Sequence, residues 1–250
     1  MHMCRLAVVC MLILSTSTHA GGTLSVVGRD TWVKVAWVYD GDTFRAANGQ
    51  RIRLLGINAP EIAHGTEPGQ PWGERAKQAL IRLIGNRMVR LKLDTEHRDI
   101  YGRLLAQVYL RDRRWVNGAL VEHGHAVVYT FPPNLRWAAA LLRLEKTARE
   151  RQLGIWGLPR FHVLSATRVG RRHIGQFRLV EGSIRSTNAN GFGFRLGVLH
   201  ISVPRKYRPY FKPPPRLRVG QHVIVRGTIR TGGGRLYLAL HSPYDLEVVP

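Results

Sequence analysis

A chain of 250 residues with 38 Lys and Arg against 16 Asp and Glu carries a formal net charge of +22. That length has room for one or two buried cores, and two is the expectation. So large and so evenly spread an excess of positive charge argues against a protein for neutral substrates and for a polyanion partner, nucleic acid before an acidic membrane.

The chain opens on a targeting signal rather than a folded element. Arg5 precedes an apolar run from Leu6 to Leu14, and small polar residues follow as far as Ala20. A basic start, a short apolar core and a small-residue site predict a signal peptide over 1–20, hence export to the periplasm or the medium. The run is too short to span a bilayer, and no later stretch predicts a transmembrane segment. Cleavage after Ala20 would remove Cys4 and Cys10 and leave no disulfide. An uncleaved hydrophobic N-terminus is the alternative. Residues 21–30 are Gly-rich and read as flexible.

Thr31 to Tyr39 alternate and carry Val33, Val35 and Val38, which suits a strand. The stretch Tyr39 to Glu61 then places two apolar runs around Asn48-Gly49, a strong hairpin signal. With Asn48 and Gly49 as a two-residue turn, Phe44 sits opposite Arg53, and Asp42 and Arg53 become diagonal neighbours on one face. A carboxylate, a guanidinium and a following loop with Asn58 and Glu61 can hold a metal ion and a phosphate together. Residues 62–71 are loop-like and would overhang that site.

Trp72 to Leu83 predict a helix with Ala76, Leu80 and Leu83 inward. Strands are expected over Met88 to Leu93 and Leu104 to Leu110, a short helix over Trp115 to His123, and an extended segment over Val127 to Phe131. Asn134 is read as the cap of a long helix, Leu135 to Leu153, with Trp137, Leu141, Leu144 and Ala148 on its apolar face. Residues 159–175 read as a linker. Beyond them the pattern turns to strands without helices: Phe177 to Thr187, Phe192 to Val203, His222 to Thr231 and Arg235 to His241.

Residues 31–158 resemble the staphylococcal-nuclease-like (thermonuclease) family. The motifs that carry the resemblance are Asp40-Gly41-Asp42-Thr43, Arg53-Leu54-Leu55-Gly56-Ile57 with Pro60-Glu61, Asp99-Ile100-Tyr101-Gly102-Arg103, Val116-Asn117 with Ala119-Leu120-Val121, and Gly154-Ile155-Trp156. The fold class implied is α+β: an OB-type five-stranded β-barrel with about three helices. The activity implied is calcium-dependent cleavage of DNA and RNA at the 5′-oxygen–phosphorus bond, leaving 3′-phosphate ends. Arg53 and Arg103 would clamp the phosphate, which suits the planar guanidinium. Glu61 would act as general base on the attacking water. Asp42, Asn58 and the carbonyl of Ala59 would hold Ca2+. Asn58 departs from the family, which has a carboxylate there, and Ala59 replaces a threonine; weaker calcium binding or reduced turnover is the consequence expected. Tyr101 and Tyr129, with Phe131 beside them, are candidates for contact with bases. The chain's 11 histidines show no metal-ligand spacing.

Residues 176–250 read as a smaller all-β domain resembling an OB-fold. Within it Lys206, Tyr207 and Tyr210 interleave charge and aromatic rings, as single-strand nucleic-acid binders do; a Pro-rich loop packed on the barrel is the alternative. The partners expected are DNA and RNA, with no obligate protein partner. Two functions stand against each other: an exported metal-dependent nuclease, and a nucleic-acid-binding protein with a site impaired at Asn58. A reused protein-interaction scaffold is a third.

Overall fold

The computed structural model describes residues 30–249, apart from the side chain of Asp30; the proposed signal peptide and most of the Gly-rich segment lie outside the described residues. The first half runs β1 (Asp30–Val38), β2 (Thr43–Ala46), β3 (Arg51–Leu54), β4 (Ile57–Asn58), α1 (Gly73–Ile84), β5 (Met88–Lys92), β6 (Leu104–Tyr109), α2 (Val116–Glu122), β7 (Val127–Val128) and α3 (Ala138–Glu150). Strands β1-β2-β3-β6-β5 close a barrel. Phe44, Ile52, Leu54, Leu91, Leu104 and Val108 fill its interior, all buried, as alternation around a small barrel demands. Helix α1 covers the core with Ala76, Ala79, Leu80 and Ile84.

The β2–β3 hairpin differs from the expectation by one residue. Its pairs are Thr43 with Arg53, Phe44 with Ile52 and Arg45 with Arg51. The loop holds three residues, because the Ala46 N–H donates to Gln50 O and the Gly49 N–H to Ala46 O, both at 2.9 Å. Gly49 takes φ 83°, the left-handed position that ends a three-residue hairpin loop and that side chains resist. This register puts Phe44 and Ile52 together in the core.

Helix α3 begins later than expected. Asn134 is buried but does not cap it. Its amide instead clasps the backbone of Glu96, accepting from the N–H at 2.7 Å and donating to the carbonyl at 2.8 Å.

The second half runs β8 (Leu164–Ser165), β9 (Phe177–Thr187), β10 (Gly193–Leu196), β11 (Leu199–Ser202), β12 (His222–Gly232), β13 (Arg235–Ala239) and β14 (Leu246–Val248). The stretch read as a linker thus holds β8, parallel to β9, with short 3-10 turns around it. The stretch read as one strand, Phe192 to Val203, is the β10–β11 hairpin. Strands β9-β10-β11-β13-β12 close a second barrel, since β12 also pairs with β9. Counted along the chain, both barrels have neighbours in the order first, second, third, fifth, fourth. In both, the third and fifth strands run parallel. The second half is therefore an OB-type barrel by topology as well as by pattern.

The barrels share a core of their own. Val127, Ala148, Ile155, Trp156 and Leu179 pack together between them, with Phe161 and Phe177 alongside. Two ion pairs cross the same boundary: Glu145–Arg226 at 2.7 Å, nearly inaccessible to solvent, and Arg149–Glu247 at 2.9 Å.

Candidate active site

The site starts with a turn that only a small residue could make. Asp40 Oδ1 accepts the Asp42 N–H at 2.9 Å and bends the chain between β1 and β2. A Cβ on Gly41 would lie 2.6 Å from that of Ala59 and 2.7 Å from that of Ala76. This close approach brings the Asp42 carboxylate onto the backbone after β4: Oδ2 accepts the Ala59 N–H at 2.7 Å, and Oδ1 accepts the Thr43 hydroxyl at 3.1 Å. Asp42 is buried, at 5% exposure. Burial pushes its pKa up to about 6, against the pull of the Arg53 guanidinium and with a further push from Asp40.

Arg53 lies on the outer face of β3. Its Nη1 donates to the carbonyls of Leu54 and Ile57, at 3.1 and 2.9 Å. Its Nη2 lies 2.7 Å from Asn58 Oδ1 and 3.1 Å from Asp42 Oδ2. Asp42, Arg53 and Asn58 are thus one cluster, with Ala59 at its edge. Two buried amides hold the loop that builds it. Gln107 and Asn117 both donate to Leu55 O, at 2.8 and 2.9 Å, and Asn117 Oδ1 accepts the Val108 N–H at 2.9 Å. The motif residue Asn117 therefore ties α2, β6 and the segment after β3 together.

Arg103 stands one residue before β6, whose parallel register pairs Ile52 with Leu104 and Arg53 with Leu105. Two-residue periodicity puts Arg103 on the same outer face as Arg53. Asp99 organises its turn: Oδ1 accepts the N–H groups of Tyr101 and Arg103, and Oδ2 pairs with Arg103 Nε at 2.7 Å. Partial burial works to raise the Asp99 pKa, but the bonds from Arg103 outweigh it and hold it below the usual value. Engagement through Nε leaves the two terminal nitrogens of Arg103 for a ligand. The Tyr101 ring, 67% exposed, lies 5.3 Å from that guanidinium. Glu61 is exposed on the loop beyond β4, where its carbonyl accepts the Gln70 N–H at 2.8 Å.

Tyr129 reaches the site because its N–H donates to Gly56 O at 2.9 Å. Its ring meets Phe131 at 4.8 Å and Phe177 of β9 at 5.3 Å. Burial raises the phenol pKa, opposed by the charges of Arg53 and Arg230. Phe131 packs on His241 at 4.6 Å, and His241 on Tyr207 at 4.8 Å, so the rings run unbroken from one barrel to the other. Lys206 Nζ lies 4.7 Å from the Tyr207 ring. Tyr210 stands apart, in a depression formed with Phe211, Lys212 and Pro243.

The donor set suits a hard divalent cation in kind: Asp42 Oδ2 and Asn58 Oδ1 face one point, and the Ala59 carbonyl beside them accepts the Asn58 amide at 3.4 Å. The guanidinium nitrogen between Asp42 Oδ2 and Asn58 Oδ1 shows that these oxygens converge on positive charge. Among the described residues there is no group of three or more His, Cys, Asp or Glu side chains placed for a metal. One buried carboxylate, an amide and a carbonyl make a weakly charged cradle.

Sequence reasoning missed the residues that join the barrels. Glu145 falls on the buried stripe of α3 with Ala138, Leu141 and Ala148. It accepts the Val128 N–H at 2.7 Å and pairs with Arg226. A carboxylate at that period was the available signal; Arg226, Arg230 and His241 offered none.

A model of the family described as "Staphylococcal nuclease homologue" matches residues 51–157. The chain is 36% identical over 122 residues to the thermonuclease of Staphylococcus intermedius, covering 48% of this chain and 72% of that protein. It is 31% identical over 157 residues to the thermonuclease of Staphylococcus hyicus, covering 60% and 92%. It is 34% identical over 122 residues to endonuclease YncB of Bacillus subtilis, covering 47% and 57%. With the expected five-stranded closed barrel and the Asp42–Arg53–Asn58 cluster on its surface, these likenesses place the chain in the staphylococcal nuclease homologue family.

Proposed function

We propose that this protein is an exported, calcium-assisted nuclease that hydrolyses phosphodiester bonds in DNA and RNA and leaves 3′-phosphate ends. The observation that supports this most directly is the meeting of Asp42, Arg53 and Asn58 at one point, with Arg103 on the same barrel face. The thermonucleases and endonuclease among the relatives point the same way.

In this reading Arg103 binds the phosphate through the terminal N–H donors that Asp99 leaves open, Arg53 exchanges Asp42 and Asn58 for a phosphate oxygen at Nη2, and the two neutralise the charge that grows on it as water attacks. Glu61 takes the proton from the attacking water; its exposed position on a loop keeps its carboxylate within reach of solvent. The water oxygen bonds to phosphorus, the bond to the 5′-oxygen breaks, and that oxygen takes a proton from solvent. Asp42, Asn58 and the Ala59 carbonyl would hold calcium, which when bound supplies charge at a phosphate oxygen and orients water. Export is supported by the segment 1–20; among the described residues no helix is long and apolar enough to cross a membrane.

The test is incubation of the purified protein with plasmid, single-stranded DNA and RNA, in calcium or in chelator, with end analysis of the products. Calcium-dependent fragments with 3′-phosphate ends are expected from the single-stranded DNA and the RNA. Binding without cleavage under any divalent metal would replace this function with the alternative that Asn58 favours, a nucleic-acid-binding protein with an impaired site. Sequencing the N-terminus of the exported protein checks cleavage after Ala20.

A further inference from the structure

Two cavities lie end to end between the barrels. One, of about 220 Å³, begins at Asn58 and Ala59 and is walled opposite by Arg160, Gln176 and Phe177. The other, of about 130 Å³, continues past Tyr129 and Phe131 to Arg230 and His241. Tyr129, Phe177 and Thr228 line both, so the two make one trough leading from the candidate reaction centre to the second barrel.

The chemistry of the trough alternates. Its floor is aromatic, with Tyr129 edge-on to Phe177 at 5.3 Å. Its rim is basic. Arg230 is exposed and has no ion pair among the described residues. Arg160 is half-buried, with Nη1 held by Gln176 Oε1 at 2.7 Å. The one carboxylate in the lining, Asp245, is spent on backbone: Oδ2 accepts the N–H groups of His241 and Ser242 at 2.6 and 3.0 Å. Aromatic faces with cationic edges suit the bases and phosphates of a single strand. A duplex keeps its bases stacked inside and presents two backbones, which cavities of about 130 and 220 Å³ do not take. Nor does the trough open readily, because Glu145–Arg226 and the shared core around Trp156 fix the second barrel in place.

We propose that the second barrel is a fixed wall of the substrate trough, that Arg230 grips a phosphate neighbouring the one held at Arg53, and that the trough admits single-stranded DNA or RNA and excludes duplex. The assignment of Arg53 rests on the nuclease reading above; the trough and its preference for single strands do not.

The experiment measures fluorescence anisotropy of a short labelled single strand, and of its duplex, with the full chain in chelator. Arg230→Ala is expected to weaken single-strand binding about tenfold, the usual worth of a charged phosphate contact. The slope of log affinity against log salt should fall by about 0.7, one phosphate's share on a single strand. Arg230→Lys should recover part of the loss. Arg111→Ala, an exposed arginine lining neither cavity, should change affinity by about twofold or less. Duplex should bind more weakly, and lose no more through Arg230→Ala than through Arg111→Ala. Equal losses for the two variants on single strands, or a duplex that loses affinity at Arg230 as the single strand does, would overturn the proposal. Thermal melting confirms that each variant is folded. Cleavage in calcium is scored separately. Binding that obeys these expectations without cleavage would sink the nuclease and leave the trough, whereas cleavage with Arg230→Ala binding unchanged would sink the trough alone.

Discussion

Asp42 carries the tension between stability and chemistry at this site. A carboxylate whose folded pKa is raised from 3.8 to about 6 binds a proton more tightly folded than unfolded. Its ionisation therefore costs stability as pH rises through the window between those values, by about 3 kcal/mol on the scale of 1.36 kcal/mol per unit. Asp42→Asn keeps the size and an acceptor for the Ala59 N–H but removes the charge. Its melting temperature should exceed the parent's by several degrees near pH 7.5 and match it near pH 4, where the parent's carboxyl is protonated. Cleavage should fall by about a hundredfold or more, as loss of a charge-stabilising group does. A lower melting temperature at both pH values would refute this account of the buried charge. Asn58 invites the opposite change. Asn58→Asp adds a full negative charge beside the cradle, and calorimetric titration should show calcium binding at least about tenfold tighter. Unchanged affinity would remove Asn58 from the metal site.

At the scale of elements, α3 matters because it reaches both barrels. Glu145 on α3 is pinned between the Val128 N–H and Arg226 of β12. Truncating one partner of a buried pair strands the other, so Glu145→Ala should cost about 3–5 kcal/mol, while Glu145→Leu with Arg226→Met should regain most of it. Chemical denaturation measures both; a loss under about 1 kcal/mol for Glu145→Ala would mean that solvent reaches Arg226. The same helix shows what was legible in the sequence. Most strand and helix positions followed from periodicity, and Asp42, Arg53, Asn58 and Glu61 lay on one ribbon, where local rules apply, whereas Arg103 and Tyr129 come from elsewhere in the chain. The hairpin slipped by one residue because Asn-Gly serves both a two-residue turn and the end of a three-residue loop. The β10–β11 hairpin was hidden because Val198 in its turn looks like strand. Contacts between elements far apart in the chain, Glu145 with Arg226 or Phe131 with His241, depend on how two barrels dock, and no local pattern encodes that.

Taken whole, the molecule is two OB-type barrels made into one body by a third cluster of apolar residues. Separate modules on a flexible linker would melt independently. Here Trp156, Ile155 and Leu179 are buried between the halves, so unfolding either half exposes apolar surface of the other. Calorimetry should show one transition for the intact chain, and loss of residues 176–250 should lower the stability of what remains. Two resolved transitions would show that the docking contributes little.

The clasp of Asn134 on Glu96 has a consequence for how force passes through the site. Asn134 closes the segment that begins at Tyr129, and Glu96 opens the segment that ends at Arg103. The two spans are bolted at one buried amide, with the Arg136 N–H donating to Asp94 Oδ2 at 3.2 Å beside it, like a strut joining two cantilevers. If Arg103 holds a phosphate as proposed, a pull on it would pass to the mounting of Tyr129 as well, so that what steadies one side of the site would steady the other.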